Sequence, residues 1–590
     1  MENIAQLSPL RRFFRLLALD KKDIYYIYIY AIFAGLINLA LPLGLQAIIG
    51  LIAGGSVSAS LVLLIAIVTA ATALSGILVV MQLTVTETIQ RRIFARSAFE
   101  FAFRIPRLKL DTMTKYYPPE LVNRFFDTLT LQKGLPKLLM DFSTAALNIL
   151  FGLILISFYH PFFVFFGLIL LFILFVIFRV TGPNGLKTSL KESKYKYEVA
   201  HWLEELARAM STFKLAGNTP LSLRNTDDLV CNYLDNRKKH FRILLTQYGS
   251  VVGFKTIITA SLLLLGSFLV IDNQINIGQF VAAEIVVILV MNSVEKLILS
   301  MDNVYDVLTA LEKLGNVTDL PVEEDEGLSF EEIDTGKGIA ININDLYFKY
   351  EDAQRPTLDH LSLHIEAGEK VCIAGYNGSG KSTLIQVIAG LFSNFQGNVN
   401  YNGFPVKNIN LSSLRHHIGD TSSQESIFKG TIIENISLGH PDIQLEDIIR
   451  TTEQVGLSDY IQRLPNGYNT ILQPEGRNIP QNIKAKIILA RSLAISPQLL
   501  AIERFLNNLE QDDQSAIIEF LTATDKPWTL IAVTDDPMFA SACHRILIMK
   551  EGKVIESGTF EQIQKSPHFK KVFKVIDTEN KLISSKVEKR

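Results

Sequence analysis

Residues Val371–Thr383 read VCIAGYNGSGKST, and this Gly-rich stretch stands between a predicted strand, EKVCIA, and a predicted helix, STLIQVIAGLF. Glycines in such a loop let backbone N–H groups converge on phosphate oxygens, and the start of the helix adds its dipole. Lys381 is spaced to reach the terminal phosphates of a nucleotide, and Ser382 is spaced to bind Mg²⁺. The order strand, loop, helix therefore predicts an α/β P-loop nucleotide-binding domain that takes ATP with Mg²⁺.

A second stretch, QLLAIERFLNN at 498–508, qualifies this prediction. Its apolar strand ends in the carboxylate of Glu503. An enzyme that splits ATP would place another carboxylate at the next position, which is Arg504. Loss of a catalytic base or water-positioning group costs roughly 10²–10⁴ in rate. The sequence predicts ATP binding and leaves hydrolysis open.

The first half of the chain has a different composition. Hydrophobic residues make up 48 % of the 590 residues and concentrate before residue 300. Six apolar runs occur there, at 24–50, 59–86, 137–159, 161–181, 248–271 and 278–300. Each approaches or exceeds the roughly 20 residues that a membrane-spanning helix needs. A six-helix transmembrane domain is predicted, which excludes a soluble P-loop kinase. The net charge of −2 predicts no nucleic-acid partner.

Basic residues predict how the spans are oriented. The segments 87–136 and 182–247 are rich in Lys and Arg, whereas the connections on the opposite side contain neither. Short positive loops stay in the cytoplasm, so both termini are predicted to be cytoplasmic. The predicted location is a multi-pass position in the lipid bilayer of a bacterial inner (plasma) membrane.

Two charged residues fall inside the apolar runs. Charge at membrane depth is costly and normally faces protein or water. For Glu284, a polar patch lining a translocation path and a solvated charge near an interface are equally favoured. For Lys255, near the cytosolic end of its run, the second reading is favoured.

These patterns divide the chain into five predicted parts. An amphipathic helix at 1–22 lies on the membrane surface, because Leu10, Phe13, Phe14 and Leu17 share one face. The other parts are a six-span domain with long cytosolic helical loops at 23–314, an acidic linker at 315–338, a nucleotide-binding domain at 339–576 and a charged tail at 577–590.

With these motifs in this order, almost the whole chain resembles the ATP-binding-cassette (ABC) exporters, as a half-transporter with fused membrane and nucleotide-binding domains. The resemblance implies that Tyr350 stacks on adenine and that Gln424, in DTSSQESIFKG, contacts Mg²⁺ and the attacking water. The residues it assigns to nucleotide binding are Tyr350, Gly375, Asn377, Gly378, Ser379, Gly380, Lys381, Ser382 and Thr383. Those it assigns to Mg²⁺ are Ser382, Gln424 and Glu503.

The chain departs from this family in its remaining motifs. The LSGGQ signature, which contacts the γ-phosphate held by a partner subunit, falls on Ile479–Ile483. Pro480 has no N–H to donate, and Gln481 and Asn482 are bulkier than glycine. Arg504 stands at the catalytic Glu position and Asp535 at the switch His position, so no catalytic residue is assigned. A slipped alignment, in which TLIAVTDD at 529–536 is the metal-binding strand, is disfavoured by the order of the motifs.

Two functions fit these features. The first is a subunit of an exporter that couples ATP binding to transport, with slow or partner-dependent hydrolysis. The second is a membrane scaffold or regulator that binds ATP without turnover. Family members work as dimers, so a homodimer or a heterodimer with another half-transporter is expected. The resemblance suggests a peptide or protein substrate, although lipids and drugs use the same architecture.

Overall fold

A computed structural model describes residues 8–53, 59–113, 118–333, 336, 338–351, 353–421, 426–503 and 509–573. The chain divides into two compact units. One is Met1–Arg107 with Tyr116–Pro321, and the other is Leu108–Lys115 with Val322–Arg590. Gln424, Arg504 and the predicted tail at 577–590 lie outside the described residues.

The first unit is helical. The α-helices of the chain up to residue 320 are α1 (Pro9–Leu19), α2 (Lys21–Asn38), α3 (Ala40–Ala53), α4 (Ala59–Arg104), α5 (Leu110–Met113), α6 (Pro118–Asn123), α7 (Asp127–Ser157), α8 (Phe162–Arg208), α9 (Met210–Leu215), α10 (Leu221–Ile271), α11 (Ile277–Leu299) and α12 (Met301–Thr318). All except α5 belong to the first unit.

Within the described residues, six helical segments are long and apolar enough to cross a membrane. They are Lys21–Ala53, Ala59–Arg107, Pro118–Ser157, Phe163–Arg208, Leu221–Ile271 and Ile277–Thr318. On α8, Phe165, Leu168 and Phe172 are exposed, whereas Phe166 and Leu170 are buried. An apolar side chain on the outer face of a helix bundle is stable in lipid, so the six predicted spans are confirmed as membrane-spanning helices.

The first of these segments is broken in the middle. The sequence predicts one run at 24–50, whereas α2 ends at Asn38 and α3 begins at Ala40. Pro42 has no backbone N–H, and its ring excludes the carbonyl of residue 38 from a regular helix. The side chain of Asn38 accepts a hydrogen bond of 2.7 Å from the hydroxyl of Ser75 on α4. The break is therefore held by a contact with the next span.

The first helix of the unit is joined to its last helix. Arg12 is buried, and its guanidinium donates to the carbonyl oxygens of Leu311 and Glu312 and, at 2.6 Å, to the carboxylate of Asp319. A side chain at Gly315 would overlap this guanidinium, because a Cβ there would lie 1.0 Å from Nη1 of Arg12. Meanwhile Phe14 is 66 % exposed, so the apolar side of α1 remains available to a membrane surface.

The second unit alternates strands and helices. Its strands are β1 (Ile341–Phe348), β2 (Leu358–Ile365), β3 (Lys370–Gly375), β4 (Gln396–Tyr401), β5 (Phe404–Pro405), β6 (Ile418–Asp420), β7 (Gly430–Thr431), β8 (Ile471–Leu472), β9 (Leu499–Glu503), β10 (Thr529–Val533), β11 (Arg545–Lys550) and β12 (Lys553–Gly558). Its helices after α5 are α13 (Lys381–Ile388), α14 (Leu411–His416), α15 (Ile432–Ser437), α16 (Leu445–Gln454), α17 (Ser458–Gln462), α18 (Gln481–Ala494), α19 (Gln511–Thr522), α20 (Pro537–Ala542), α21 (Phe560–Gln564) and α22 (Phe569–Val572).

The larger sheet places the Gly-rich loop at its centre. Its strand order is β12-β11-β3-β10-β9-β6, and β3 pairs in parallel with β10 and β11. Alternate residues of β3 enter two different cores, with Cys372 and Ala374 on one side and Val371 and Ile373 on the other. Because both faces of β3 are buried, the loop that follows it starts from a rigid position. The α/β class predicted for this part of the chain is confirmed.

The segment expected as a linker, 315–338, is largely folded. Helix α12 continues to Thr318, and Phe330 is fully buried in the second unit. Leu328 exchanges backbone hydrogen bonds with Asn408 and Asn410 at 2.8 and 2.9 Å. The acidic, turn-rich composition predicted a linker, whereas Phe330 and Ile333 of this segment belong to a core of the second unit.

Candidate nucleotide site

The Gly-rich loop turns from β3 into α13. Gly378 and Gly380 have φ angles of +73° and +93°, in the left-handed region that side chains disfavour. A Cβ on Gly380 would lie only 2.5 Å from the carbonyl oxygen of Thr357. The loop therefore requires glycine at position 380 for both conformation and space.

Lys381 is the first residue of α13, and its ammonium lies over the loop. It donates to the carbonyl oxygens of Gly375 and Tyr376, at 2.9 and 2.8 Å, and to the hydroxyl of Ser379 at 3.1 Å. These contacts keep a positive charge beside backbone that is shaped to receive an anion.

Ser382 and Glu503 are brought into direct contact. The serine hydroxyl donates to Oε1 of Glu503 at 2.5 Å, although 121 positions separate the two residues in sequence. Glu503 ends β9, and its backbone N–H donates to the hydroxyl of Thr421 at 3.3 Å. A hydroxyl and a carboxylate at one point are the oxygen ligands that Mg²⁺ prefers. These residues therefore fit a Mg²⁺–nucleotide complex.

Tyr350 borders the same site. Its hydroxyl lies 3.2 Å from that of Thr383 on α13, and its ring packs edge-on against Phe348 and Phe392. The phenolic ring is half-buried and is held next to the helix that follows the loop. Of the other predicted loop residues, Asn377 is exposed and Ser379 is buried.

The carboxylates after β10 have other surroundings. Asp536 caps α20 by accepting from the backbone N–H groups of Met538 and Phe539, at 2.7 and 3.2 Å. Asp535 is half-buried in the same turn. The carboxylate that accepts a hydrogen bond from Ser382 is that of Glu503, at the end of β9. No comparison can be made for Arg504 or Gln424, which lie outside the described residues.

The positions at which the signature is predicted, Ile479–Ile483, span the N-cap and the first residues of α18. Pro480 occupies the N-cap position, with no side-chain hydrogen bond to the helix, and is exposed, as is Gln481. The side-chain oxygen of Asn482 accepts from the backbone N–H of Ile483 at 2.9 Å. Ile479 and Ile483 are both buried. Asn482 thus bonds one backbone N–H group at the start of α18, and Ile479 and Ile483 anchor this end of the helix in the core.

Two buried cations of the second unit were missed by sequence reasoning. Lys370 is 1 % exposed, and its ammonium donates to the carbonyl oxygen of Trp528 at 2.6 Å. Burial lowers the pKa of Lys370 to about 8. On α18, Arg491 donates to the carbonyl oxygen of Asn435 at 2.7 Å, and burial lowers its pKa to about 10. Their sequence signal is weak, because a charged residue in an apolar strand or helix is usually assigned to its exposed edge.

The membrane unit holds a polar cavity of about 590 Å³. The residues lining it are Lys137, Asp141, Asn292, Glu295, Lys296, Leu299, Ser300 and Asn303. Lys296 pairs with the buried Asp141 at 2.8 Å, and Lys255 pairs with Glu295 at 3.0 Å. The Lys255 side chain, expected to be a charge near an interface, is 40 % exposed and forms this ion pair with α11. Glu284 is half-buried on α11 and does not line this cavity.

Comparison with known proteins gives the same two-part organisation. A family model described as the ABC transporter transmembrane region matches residues 24–294, and one described as ABC transporter matches residues 358–503. The solved structure of a bacterial Atm1-family ABC exporter with ATP bound superposes with a TM-score of 0.83. It covers 94 % of this chain and 98 % of its own, at 17 % identity, and so shows the fold.

The alignments with curated relatives cover a smaller share of each chain. The alpha-hemolysin translocation ATP-binding protein HlyB of Escherichia coli is 27 % identical over 369 residues, which are 62 % of this chain and 51 % of that protein. The transport/processing ATP-binding protein ComA of Streptococcus pneumoniae is 27 % identical over 51 % of this chain and 42 % of its own. The chain thus spans about half the length of these relatives. Since the two family models together cover most of the chain, it belongs to the ABC transporters, with a membrane region and a nucleotide-binding domain fused in one polypeptide.

Proposed function

We propose that this chain is the ATP-binding membrane subunit of an ABC-type exporter, in which ATP binding is retained and hydrolysis is slow or partner-dependent. The observation that carries the proposal is the contact between Ser382 and Glu503 beside the ammonium of Lys381. That arrangement combines a cation for phosphate with two oxygen ligands for Mg²⁺.

Each residue of the site has a proposed part in binding. Backbone N–H groups from Gly375 to Gly380 and the ammonium of Lys381 hold the phosphates, and the ring of Tyr350 supports the adenine. Ser382 and Glu503, together with Gln424, orient Mg²⁺. When bound, ATP supplies a terminal phosphoryl group whose transfer to water is the energy source of the family.

Slow hydrolysis follows from the groups around the phosphates. Arg504 replaces the general base, and Asp535 replaces the imidazole that would contact the γ-phosphate. In the signature, Pro480 offers neither a hydroxyl nor an N–H. Phosphoryl transfer relies on positioned donors and charge neutralisation, so these replacements lower the rate without preventing binding.

A dimer is part of the proposal, because ABC half-transporters complete each nucleotide site with the signature of a second subunit. Two copies of this chain, or one copy with an intact half-transporter, would form it. The proposed location is a bacterial plasma membrane with both termini in the cytoplasm, which the charge of segments 87–136 and 182–247 supports. The predicted division at 1–22, 23–314, 315–338 and 339–576 remains a proposal in its finer boundaries.

A peptide or protein is the proposed class of substrate. HlyB and ComA carry translocation and transport in their names, and the polar cavity offers amide groups at Asn292 and Asn303 beside paired charges. These groups can form hydrogen bonds with a polar chain, which a lipid tail cannot do.

The test is to measure Mg²⁺-dependent ATP binding and phosphate release by the purified chain in lipid nanodiscs. We expect saturable binding and a turnover well below the range of about 1–10³ s⁻¹ typical of enzymes. Adding a co-purified half-transporter should raise the turnover. Binding with no phosphate release under either condition would favour the non-hydrolytic scaffold, and no binding would refute both functions.

A further inference from the structure

Two histidines and an aspartate meet on the second unit, away from the nucleotide loop. One ligand atom from each of His416, His440 and Asp442 can be chosen so that all three lie within 4.8 Å of one another. The two imidazole rings are stacked, with centroids 4.3 Å apart and planes 20° apart. We propose that these three residues form a binding site for a late first-row divalent metal ion of the Zn²⁺ class.

The backbone on one side of this cluster is fixed. His416 is the last residue of α14, and the carbonyl oxygen of the next residue, His417, accepts from the backbone N–H groups of Gln498 and Leu499 at 2.9 and 3.1 Å. The ring of His417 is already engaged, because its Nδ1 lies 3.0 Å from the carbonyl oxygen of Ser413. His416 is therefore the histidine of this pair that is presented to the cluster.

The other side is a compact turn after α15. Leu438 has a φ of +51°, and the backbone N–H of His440 donates to the carbonyl oxygen of Ser437 at 2.9 Å. A non-glycine residue in the left-handed region costs about 1 kcal/mol, so the surrounding contacts must hold this turn. Nδ1 of His440 lies 3.6 Å from Oδ2 of Asp442. The loop thus delivers two of the three ligands together.

The donor set selects the class of ion. Imidazole nitrogen and carboxylate oxygen suit Zn²⁺, Cu²⁺ and Ni²⁺ better than Mg²⁺ or Ca²⁺, which take oxygen ligands. Bonds of about 2.0–2.2 Å in a tetrahedron separate the ligand atoms by about 3.4 Å, so the three side chains would move closer together than the present 4.8 Å when they bind an ion. With three protein ligands, the fourth position is left to water.

A bound ion would join the two ends of one segment. His416 and His440 flank residues 417–439, which include β6, α15 and position 424. The ion would therefore act as a cross-link between α14 and the turn after α15. Metal binding itself does not depend on the function proposed above.

The test uses the full chain, purified without a histidine tag, stripped of metal and titrated with Zn²⁺ against a chromophoric chelator. We expect one Zn²⁺ per chain with a dissociation constant in the micromolar range or below. Asp442→Asn, an exposed position, should weaken binding by about 10-fold or more, and His416→Ala with His440→Ala should abolish it.

The matched control is His360→Ala. That exposed imidazole lies 2.7 Å from a single carboxylate, Asp345, and so offers a pair instead of a triad. Its replacement should leave Zn²⁺ affinity unchanged. ATP binding by each variant reports that it is folded. The proposal is overturned if no stoichiometric binding occurs, or if the folded double variant keeps the affinity of the wild type.

Discussion

Helices α13 and α18 both lack a side-chain capping hydrogen bond, because the N-cap residue is Gly380 in one and Pro480 in the other. Elsewhere in the same unit, α15 begins with a capping box in which Thr431 and Glu434 satisfy each other's backbone N–H groups. The two uncapped ends have similar dipoles, so the dipole cannot distinguish their chemistry.

The two helix ends differ in the residues that surround them. At α13, a left-handed glycine opens the backbone, an ammonium lies over the loop, and a hydroxyl contacts Glu503. At α18, the flanking side chains are the buried Ile479 and Ile483. A helix end can bind phosphate when neighbouring residues supply a positive charge and the backbone N–H groups are accessible. At the start of α18, the neighbouring residues instead anchor the helix in the core.

Restoring the family's residues at α18 and at the base position should give the largest change. The substitutions Pro480→Ser, Gln481→Gly and Asn482→Gly, combined with Arg504→Glu, should raise ATP hydrolysis about 100-fold or more, because they return both the donors and the base. Phosphate release in nanodiscs measures this. Adding Lys381→Ala should remove the gain, and a variant that binds ATP but hydrolyses it no faster than the wild type would contradict the explanation.

Nucleotide affinity should separate the two helix ends directly. Lys381→Ala should weaken ATP binding about 100-fold, because a charge-assisted contact to phosphate is lost. The matched change at the other helix is Lys484→Ala, in the first turn of α18, which should leave the affinity of the single chain unchanged. Fluorescent-nucleotide titration measures both. Equal losses at the two positions would erase the difference drawn between the helices.

The smallest effect concerns the buried Lys370, the first residue of β3. In the folded chain the pKa of Lys370 is about 8, below the ordinary lysine value of 10.5. Above pH 8 the unfolded chain therefore holds a proton that the folded chain has released, and stability rises with pH. Between pH 7.5 and 9, the unfolding free energy of the wild type should rise by about 1 kcal/mol relative to Lys370→Met. A difference that stays constant over this interval, measured by denaturation, would contradict it.

The sequence was most informative where local pattern determines structure. The Gly-rich loop, the six apolar runs and the strand ending at Glu503 could all be read from a few neighbouring residues. Other features depend on which elements are adjacent in the fold. They are the contact of Ser382 with Glu503, the burial of Lys370 and Arg491, and the meeting of His416 with His440. The order β3-β10-β9 decides the first of these, and no local pattern encodes it. The packing of 315–338 was hidden because its acidic residues outnumber the few apolar ones that carry it.

The guanidinium of Arg12 lies where any side chain at Gly315 would stand, and it reaches Asp319 just beyond the end of α12. For protein engineering, this means that the two ends of the membrane unit lie together, because its first and last helices are in direct contact. Such a unit is suited to circular permutation, with new ends cut into one of its loops. A deletion from the N-terminus that includes Arg12 would have a different effect. It would remove the hydrogen bonds that hold α12, although only the beginning of the chain is shortened.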